Sequence, residues 1–263
     1  IPPSAWAWRK GRAKDCAALA DEIVAIFPHE LPPYEKAGAH ISFVGNPLID
    51  TVHAEMPLAD ARRHFGIIEG DVPILLLPGS RREEIERLLP AMLAAAKMLH
   101  AQDPARRFFL PVAGSVLKER VQEIIASSGM TVTLTYDARY ALMGIARAAM
   151  AASGTVVMEA AIMGLPAVVL YRMSALSYFV GRLLVDVPRF SLPNILLGET
   201  FETELLQDEV QPERIADEME RILTDGAARA HIIQRLARAV ALLGAPHAAR
   251  RVAEKIIALA ERR

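Results

Sequence analysis

From about residue 59 onward, short apolar runs alternate with stretches of helical periodicity, and this alternation limits the possible folds more than any other property of the chain. Runs at 73–77, 107–112, 131–134, 148–152 and 167–171 read as buried strands. Helical segments fall at 59–65, 83–100, 116–127, 138–146 and 156–163, and the longest places Leu88, Leu89, Met92, Leu93, Ala96 and Leu99 on one face. Strands separated by helices of this length form parallel βαβ units, with helices on both faces of an α/β sheet. Residues 1–45 alternate short strands (23–27 and 41–44) with helical pieces, and 46–57, with two prolines and little periodicity, reads as a linker. The end is helical: 212–223, with Pro212 near its start and Gly226 just past its end, then 228–243 and 246–263.

The 263 residues are 52% hydrophobic and 23% charged, which supplies a packed interior and argues against disorder. A formal net charge of −1 lacks the basic excess of a general nucleic-acid binder. The single cysteine, Cys16, excludes a disulfide framework within the chain and fits a reducing compartment. No uncharged apolar run reaches the roughly 18 residues that cross a bilayer. The chain opens at Ile1 as though in mid-domain, so a missing upstream segment is expected. The histidines are scattered, without metal-ligand spacing, and neither a P-loop, a dinucleotide fingerprint nor a G-x-S-x-G elbow occurs.

Two strand-to-helix turns carry the chemistry. In Leu77-Pro78-Gly79-Ser80-Arg81, backbone N–H groups at a helix start and a guanidinium converge beyond a strand end, where a phosphate is favoured. The plainer alternative is a β–α turn with Ser80 as cap and Arg81 solvated. In Ala152-Ser153-Gly154-Thr155, a second strand ends in small residues that start a helix. Glu159 follows Thr155 by four positions, whereas a capping box needs three; it is either a first-turn acid facing the dipole or an acceptor for a ribose diol. Ligands gather at the carboxyl ends of parallel strands, so two such turns in one sheet reinforce each other.

Other segments are more ambiguous. Asn194 in Ser191-Leu192-Pro193-Asn194 is either a turn residue or an amide facing a pocket. Trp6 and Trp8, beside Arg9 and Lys10, suit sugar stacking, a lipid boundary or simple packing. Tyr178, Phe179 and Arg182 suit either an interfacial segment with a snorkelling arginine or a partly buried helix.

Read in order, Pro3-Ser4-Ala5-Trp6-Ala7-Trp8-Arg9, Phe27-Pro28-His29-Glu30 with Tyr34, Val44-Gly45-Asn46-Pro47-Leu48, Leu77-Pro78-Gly79-Ser80-Arg81, Ser153-Gly154-Thr155 with Glu159, Tyr171-Arg172-Met173, Ser191-Leu192-Pro193-Asn194 and Glu204-Leu205-Leu206-Gln207 form a distinctive set. Over essentially its whole length the chain resembles the lipid-A-disaccharide synthases, glycosyltransferases of the GT-B fold with two facing Rossmann-like domains. The resemblance implies a C-terminal remnant of the acceptor-side domain at 1–45, a linker at 46–57, a complete UDP-sugar-binding Rossmann-like domain at 58–227 and C-terminal helices at 228–263. It implies inverting transfer of 2,3-diacylglucosamine from UDP-2,3-diacylglucosamine to 2,3-diacylglucosamine 1-phosphate (lipid X), giving the β-1,6 lipid A disaccharide and UDP. Neither metal nor cofactor is implied. Arg81 would stabilise the leaving diphosphate, and Asn194 is the second candidate catalytic residue. Gly79, Ser80, Ser153, Gly154, Thr155, Glu159, Asn194 and Gln207 would complete the UDP-sugar site. Trp6, Trp8, Tyr178, Phe179 and Arg182 would touch lipid. The setting implied is the cytoplasmic face of a Gram-negative inner membrane, with a homodimer as a candidate assembly.

Two departures stand out: Asn46 occupies a position where the family usually has histidine, and the family's upstream glycine-rich loop and general-base aspartate are not in this chain. The chain is therefore expected to bind UDP-sugar better than it turns it over. Alternative readings are a UDP-N-acetylglucosamine 2-epimerase, which shares the architecture, and an inactive UDP-binding remnant.

Overall fold

The computed structural model describes residues 2, 11–112, 118–173 and 188–261. Among these, residues of 1–52 and 238–261 form one compact unit, and those of 53–173 and 189–237 form the other.

In the first unit, α1 (Arg12–Leu19), β1 (Ile23–Ala25), α2 (Leu31–Glu35), β2 (Ile41–Phe43) and α3 (Leu48–Thr51) precede the final helix, which spans Ala248–Ala260. The two strands pair in parallel with Ile23 opposite Ile41. Ala13, Ile23 and Tyr34 form its small core. Asn46 is buried and spends its polar atoms on the backbone. Its N–H donates to the Leu243 carbonyl at 2.8 Å, Nδ2 donates to Ile26 O at 3.1 Å, and Oδ1 accepts from Leu48 N–H at 3.0 Å. A side-chain amide can donate and accept at once in this way. Asp50 accepts from the N–H groups of His247 and Ala248 (2.6 and 3.2 Å), capping the final helix and tying residues 238–261 to residues 1–52.

In the second unit, α4 (Leu58–His64) leads into β3 (Val72–Leu77), α5 (Arg82–Gln102), β4 (Arg106–Pro111), α6 (Lys118–Ser128), β5 (Thr133–Thr135) and α7 (Arg139–Ile145). There follow β6 (Ala148–Ala152), α8 (Thr155–Ile162), β7 (Ala167–Tyr171), α9 (Leu192–Leu197), β8 (Glu204–Leu206), α10 (Pro212–Thr224) and α11 (Gly226–Ala241), whose residues from 238 on belong to the first unit. All six strands run parallel in the order β5-β4-β3-β6-β7-β8. The chain grows outward from β3 in one direction, then returns to start again at β6 on the other side. The strand order therefore reverses between β3 and β6, which opens a crevice at their carboxyl ends.

Burial on both faces explains why the strands read as unbroken apolar runs. Leu75 and Leu77 point to one side, where Ala149, Ala151 and Val169 join residues of α4, α7 and α8. Ile74 and Leu76 alternate to the other side, which α5 and α10 cover. Every residue of β6 is buried, and four of the five are alanine, which lets the flanking helices approach closely. Arg106, buried at the start of β4, makes a bidentate pair with Glu220 of α10 at 2.6 and 3.0 Å. Its remaining donor capacity goes to Leu99 O and Gln102 at the end of α5, so one guanidinium fastens two helices to the strand.

Candidate functional site

Leu77 of β3 is the register partner of Ala151 in β6. Both turns singled out in the sequence thus leave neighbouring strands on the two sides of the reversal point. They line a single cleft of about 600 Å³, together with Glu55, the end of β4, residues 135–139 and Glu159. Gly79, Ser80, Arg81, Ser153, Gly154, Thr155 and Glu159 all lie in its wall.

The first turn is built around a carboxylate. Gly79 has φ +98°, a conformation that favours glycine, and a Cβ there would stand 2.3 Å from Glu84 Oε2, so any side chain would displace that carboxylate. Arg81, not Ser80, is the last residue before α5, with extended φ/ψ of −97° and 144°. Glu84, three residues on, folds back over the turn. Its Oε2 accepts from Ser80 N–H (3.2 Å) and Arg81 N–H (3.3 Å), and its Oε1 accepts from Arg81 Nη1 at 3.0 Å. The Arg81 side chain is 83% exposed along the cleft rim. The donors expected to meet a phosphate are therefore held by an internal acid, a feature whose only mark in the sequence is the three-residue spacing of a capping box.

The second turn is open. Ser153 Oγ donates to Phe190 O at 3.0 Å, and its N–H to Leu170 O at 2.8 Å, which fixes the turn behind its cleft face. Gly154 and Thr155 are exposed; the Val157 N–H turns back to Gly154 O at 3.2 Å, and the N–H groups ahead of it precede any helical carbonyl within their reach. One turn further, Glu159 is buried, and its Oε1 accepts from Arg139 Nη2 at 3.2 Å. The Arg139 guanidinium also lies 4.6 Å from the centre of the Tyr140 ring. Glu55 closes this corner by accepting from the N–H groups of Tyr140 and Ala141 at 3.2 and 2.8 Å. Glu55, Glu84, Asp137 and Arg139 are the charged lining residues that the sequence reading does not single out. Glu55 lay in the presumed linker, and Arg139 opens a short helix without any motif.

Asn194 and Gln207 do not reach this cleft. Asn194 is wholly buried beside β8, and its side chain makes four hydrogen bonds: Nδ2 to Glu202 O (2.9 Å) and Glu204 Oε1 (2.7 Å), and Oδ1 from Phe201 and Glu202 N–H (3.1 and 3.2 Å). Its capacity is spent on the loop between α9 and β8. Glu204 also accepts from the N–H groups of Phe190 and Ser191 at 2.9 and 3.0 Å. Phe190 in turn receives the Ser153 hydroxyl, so this buried cluster stands behind the second turn. Burial pushes the carboxyl of neighbouring Glu202 up to about 8. Gln207, at φ +53°, clamps Met173 by accepting from its N–H (2.7 Å) and donating to its carbonyl (3.3 Å). Trp6, Trp8, Tyr178, Phe179 and Arg182 lie outside the described residues. Among the described residues no cluster of His, Cys, Asp or Glu could hold a metal ion, and no helix is long and apolar enough to cross a membrane.

Comparison with known proteins extends this picture. A family model described as lipid-A-disaccharide synthetase matches residues 1–256. The lipid-A-disaccharide synthase of Geobacter sulfurreducens is 42% identical over 227 residues, 86% of this chain and 59% of that protein. The one from Geobacter metallireducens is 42% identical over 253 residues, 96% of this chain and 66% of that protein. The chain therefore spans about three-fifths to two-thirds of the length of these relatives. Among solved structures, UDP-GlcNAc 2-epimerase from Neisseria meningitidis bound to UDP-GlcNAc superposes with a TM-score of 0.64 at 15% identity, covering 92% of this chain and 62% of that one. At that identity the likeness is one of fold, a GT-B architecture whose complete Rossmann-like domain is the six-stranded unit. The matched span and the identity with full-length relatives together place the chain in the lipid-A-disaccharide synthetase family.

Proposed function

We propose that this chain is the donor-binding portion of a glycosyltransferase of lipid A biosynthesis. In this reading it binds UDP-2,3-diacylglucosamine, and the sugar passes with inversion to 2,3-diacylglucosamine 1-phosphate, leaving UDP. The observation that carries the reading is the meeting of two strand-end turns and a buried glutamate in one cleft at the point where the strand order reverses. The exposed amides at Gly154 and Thr155 offer donors to a phosphate, and Glu159 offers its carboxylate to a ribose diol. The Arg81 guanidinium on the rim meets the negative charge that grows on the departing diphosphate, where electrostatic stabilisation counts most. Asn194 acts from behind, by holding the segment that anchors Ser153. The general base belongs to the part of the family's length that this chain does not span. Because both sugars carry acyl chains, the reaction belongs at a membrane surface, on its cytoplasmic side where nucleotide sugars are found.

The test is thermal unfolding with and without UDP. Millimolar UDP should raise the melting temperature of the wild-type chain by mass action, and Arg81→Ala should abolish the rise. An unchanged melting temperature in the wild type would remove the reading.

A further inference from the structure

The cleft proposed to receive a diphosphate is lined by four carboxylates, Glu55, Glu84, Asp137 and Glu159, against two guanidiniums, Arg81 and Arg139. Such a lining repels an anion unless some of its negative charge is removed from the ligand's path. Glu55 is held on the N–H groups that open α7, Asp137 on the His64 ring at 3.1 Å and Glu159 on Arg139, none of them on the Gly79–Arg81 turn. Glu84 is different. It takes the Ser80 N–H, the Arg81 N–H and Arg81 Nη1, the very donors that a phosphate oxygen would use at this strand end. Each of the two backbone N–H groups serves one acceptor well at a time, so Glu84 and a phosphate compete for them.

We propose that Glu84 is an internal competitor for the phosphate seat: its carboxylate occupies the donors in the unliganded chain, and an entering diphosphate displaces it. This rests on the reading of the cleft as a nucleotide-diphosphate site and adds a selectivity to it. A ligand gains the seat only by offering these donors more negative charge than one carboxylate does. The displaced Glu84 then stands beside the bound phosphate and favours release of the product diphosphate. Arg81, freed from its pair with Glu84, turns from an internal contact to the ligand.

The experiment is isothermal calorimetry of the full chain with inorganic pyrophosphate, UDP and uridine, comparing wild type, Glu84→Gln and Glu83→Gln. Glutamine still accepts from the Ser80 N–H and suits this position of a capping box, so the start of α5 is retained while the charge is lost. Glu84→Gln should bind both pyrophosphate and UDP about tenfold more tightly, as removal of a like charge at contact distance requires, with any affinity for uridine unchanged. Glu83 pairs with Arg87 at 3.2 Å and touches none of the donors, so its substitution should change binding by less than about twofold. Unchanged or weaker binding of both phosphate ligands by Glu84→Gln would overturn the proposal; weaker binding would mean that Glu84 stays in place and orients Arg81. A gain for pyrophosphate, with UDP bound no better than pyrophosphate, would keep the competitor role and instead count against the nucleotide reading of the cleft.

Discussion

The Asn194 amide donates to Glu204 Oε1 at 2.7 Å in the interior of the second unit, and the same carboxylate accepts the backbone N–H groups of Phe190 and Ser191. The side chain of Asn194, for which the sequence offers either a turn or a pocket-facing amide, is spent on this interior cluster. Through Phe190 O, which receives the Ser153 hydroxyl, the cluster fixes one wall of the cleft without entering it.

Asn194→Ala should therefore act on stability before binding. It leaves the carbonyl of Glu202, the N–H groups of Phe201 and Glu202 and one oxygen of Glu204 short of partners in a site closed to water. Each buried group left unsatisfied costs roughly 1–3 kcal/mol, and partial relaxation brings the total to about 3 kcal/mol. Urea denaturation should show the midpoint falling, while UDP affinity of the folded fraction changes by less than about threefold, the latter figure following from a wall that is loosened but not removed. A large loss of affinity at unchanged stability would return Asn194 to the pocket.

Glu202 gives the unit a pH dependence of defined sign. Its Oε1 accepts from Ala167 N–H at 3.0 Å, its Oε2 is buried without a partner among the described residues, and burial together with the charge of Glu204 raises its carboxyl from 4.5 to about 8. The folded form binds this proton more tightly than the unfolded chain does. Stability is thus fully present below the unfolded value of 4.5, declines as pH rises, and levels off above about 8. The full displacement corresponds to a loss on the order of 5 kcal/mol. Glu202→Gln, which cannot ionise, should flatten the denaturation midpoint between these two values and make the chain more stable than wild type at alkaline pH. An equal slope in both proteins would assign the titration to another group.

The parts of the fold visible in the sequence are those set by local burial. The runs that became β3, β6 and β7 are apolar because both faces of a parallel sheet are covered, and the two small-residue turns mark the helix starts between them. β8 was not visible, because Glu204-Leu205-Leu206 is only three residues and its glutamate serves the interior of the loop instead of a sheet face. Nor was the return of residues 238–261 to the unit of residues 1–52, which depends on Asp50 meeting His247 almost 200 positions away. In the cleft, the strand-end residues were legible from composition. Glu55, Glu84, Asp137 and Arg139 were not, since a charged side chain on a surface helix or loop looks the same whether it faces water or a ligand.

Gly79 is where turn geometry and the occupant of the phosphate seat can be separated. Gly79→Ala forces a side chain into the left-handed region at φ +98° and sets a methyl group against Glu84 Oε2. The conformational part costs about 1–2 kcal/mol, and the clash adds to it by expelling Glu84 from the turn. In Gly79→Ala with Glu84→Ala the clash is gone but the backbone penalty remains. The double variant should therefore be destabilised by less than the sum of the two single changes, with a coupling of about 1 kcal/mol in denaturant melts. Strict additivity would mean that the carboxylate does not sit over Gly79 in solution, and the occupied donor set at this turn would have to be abandoned.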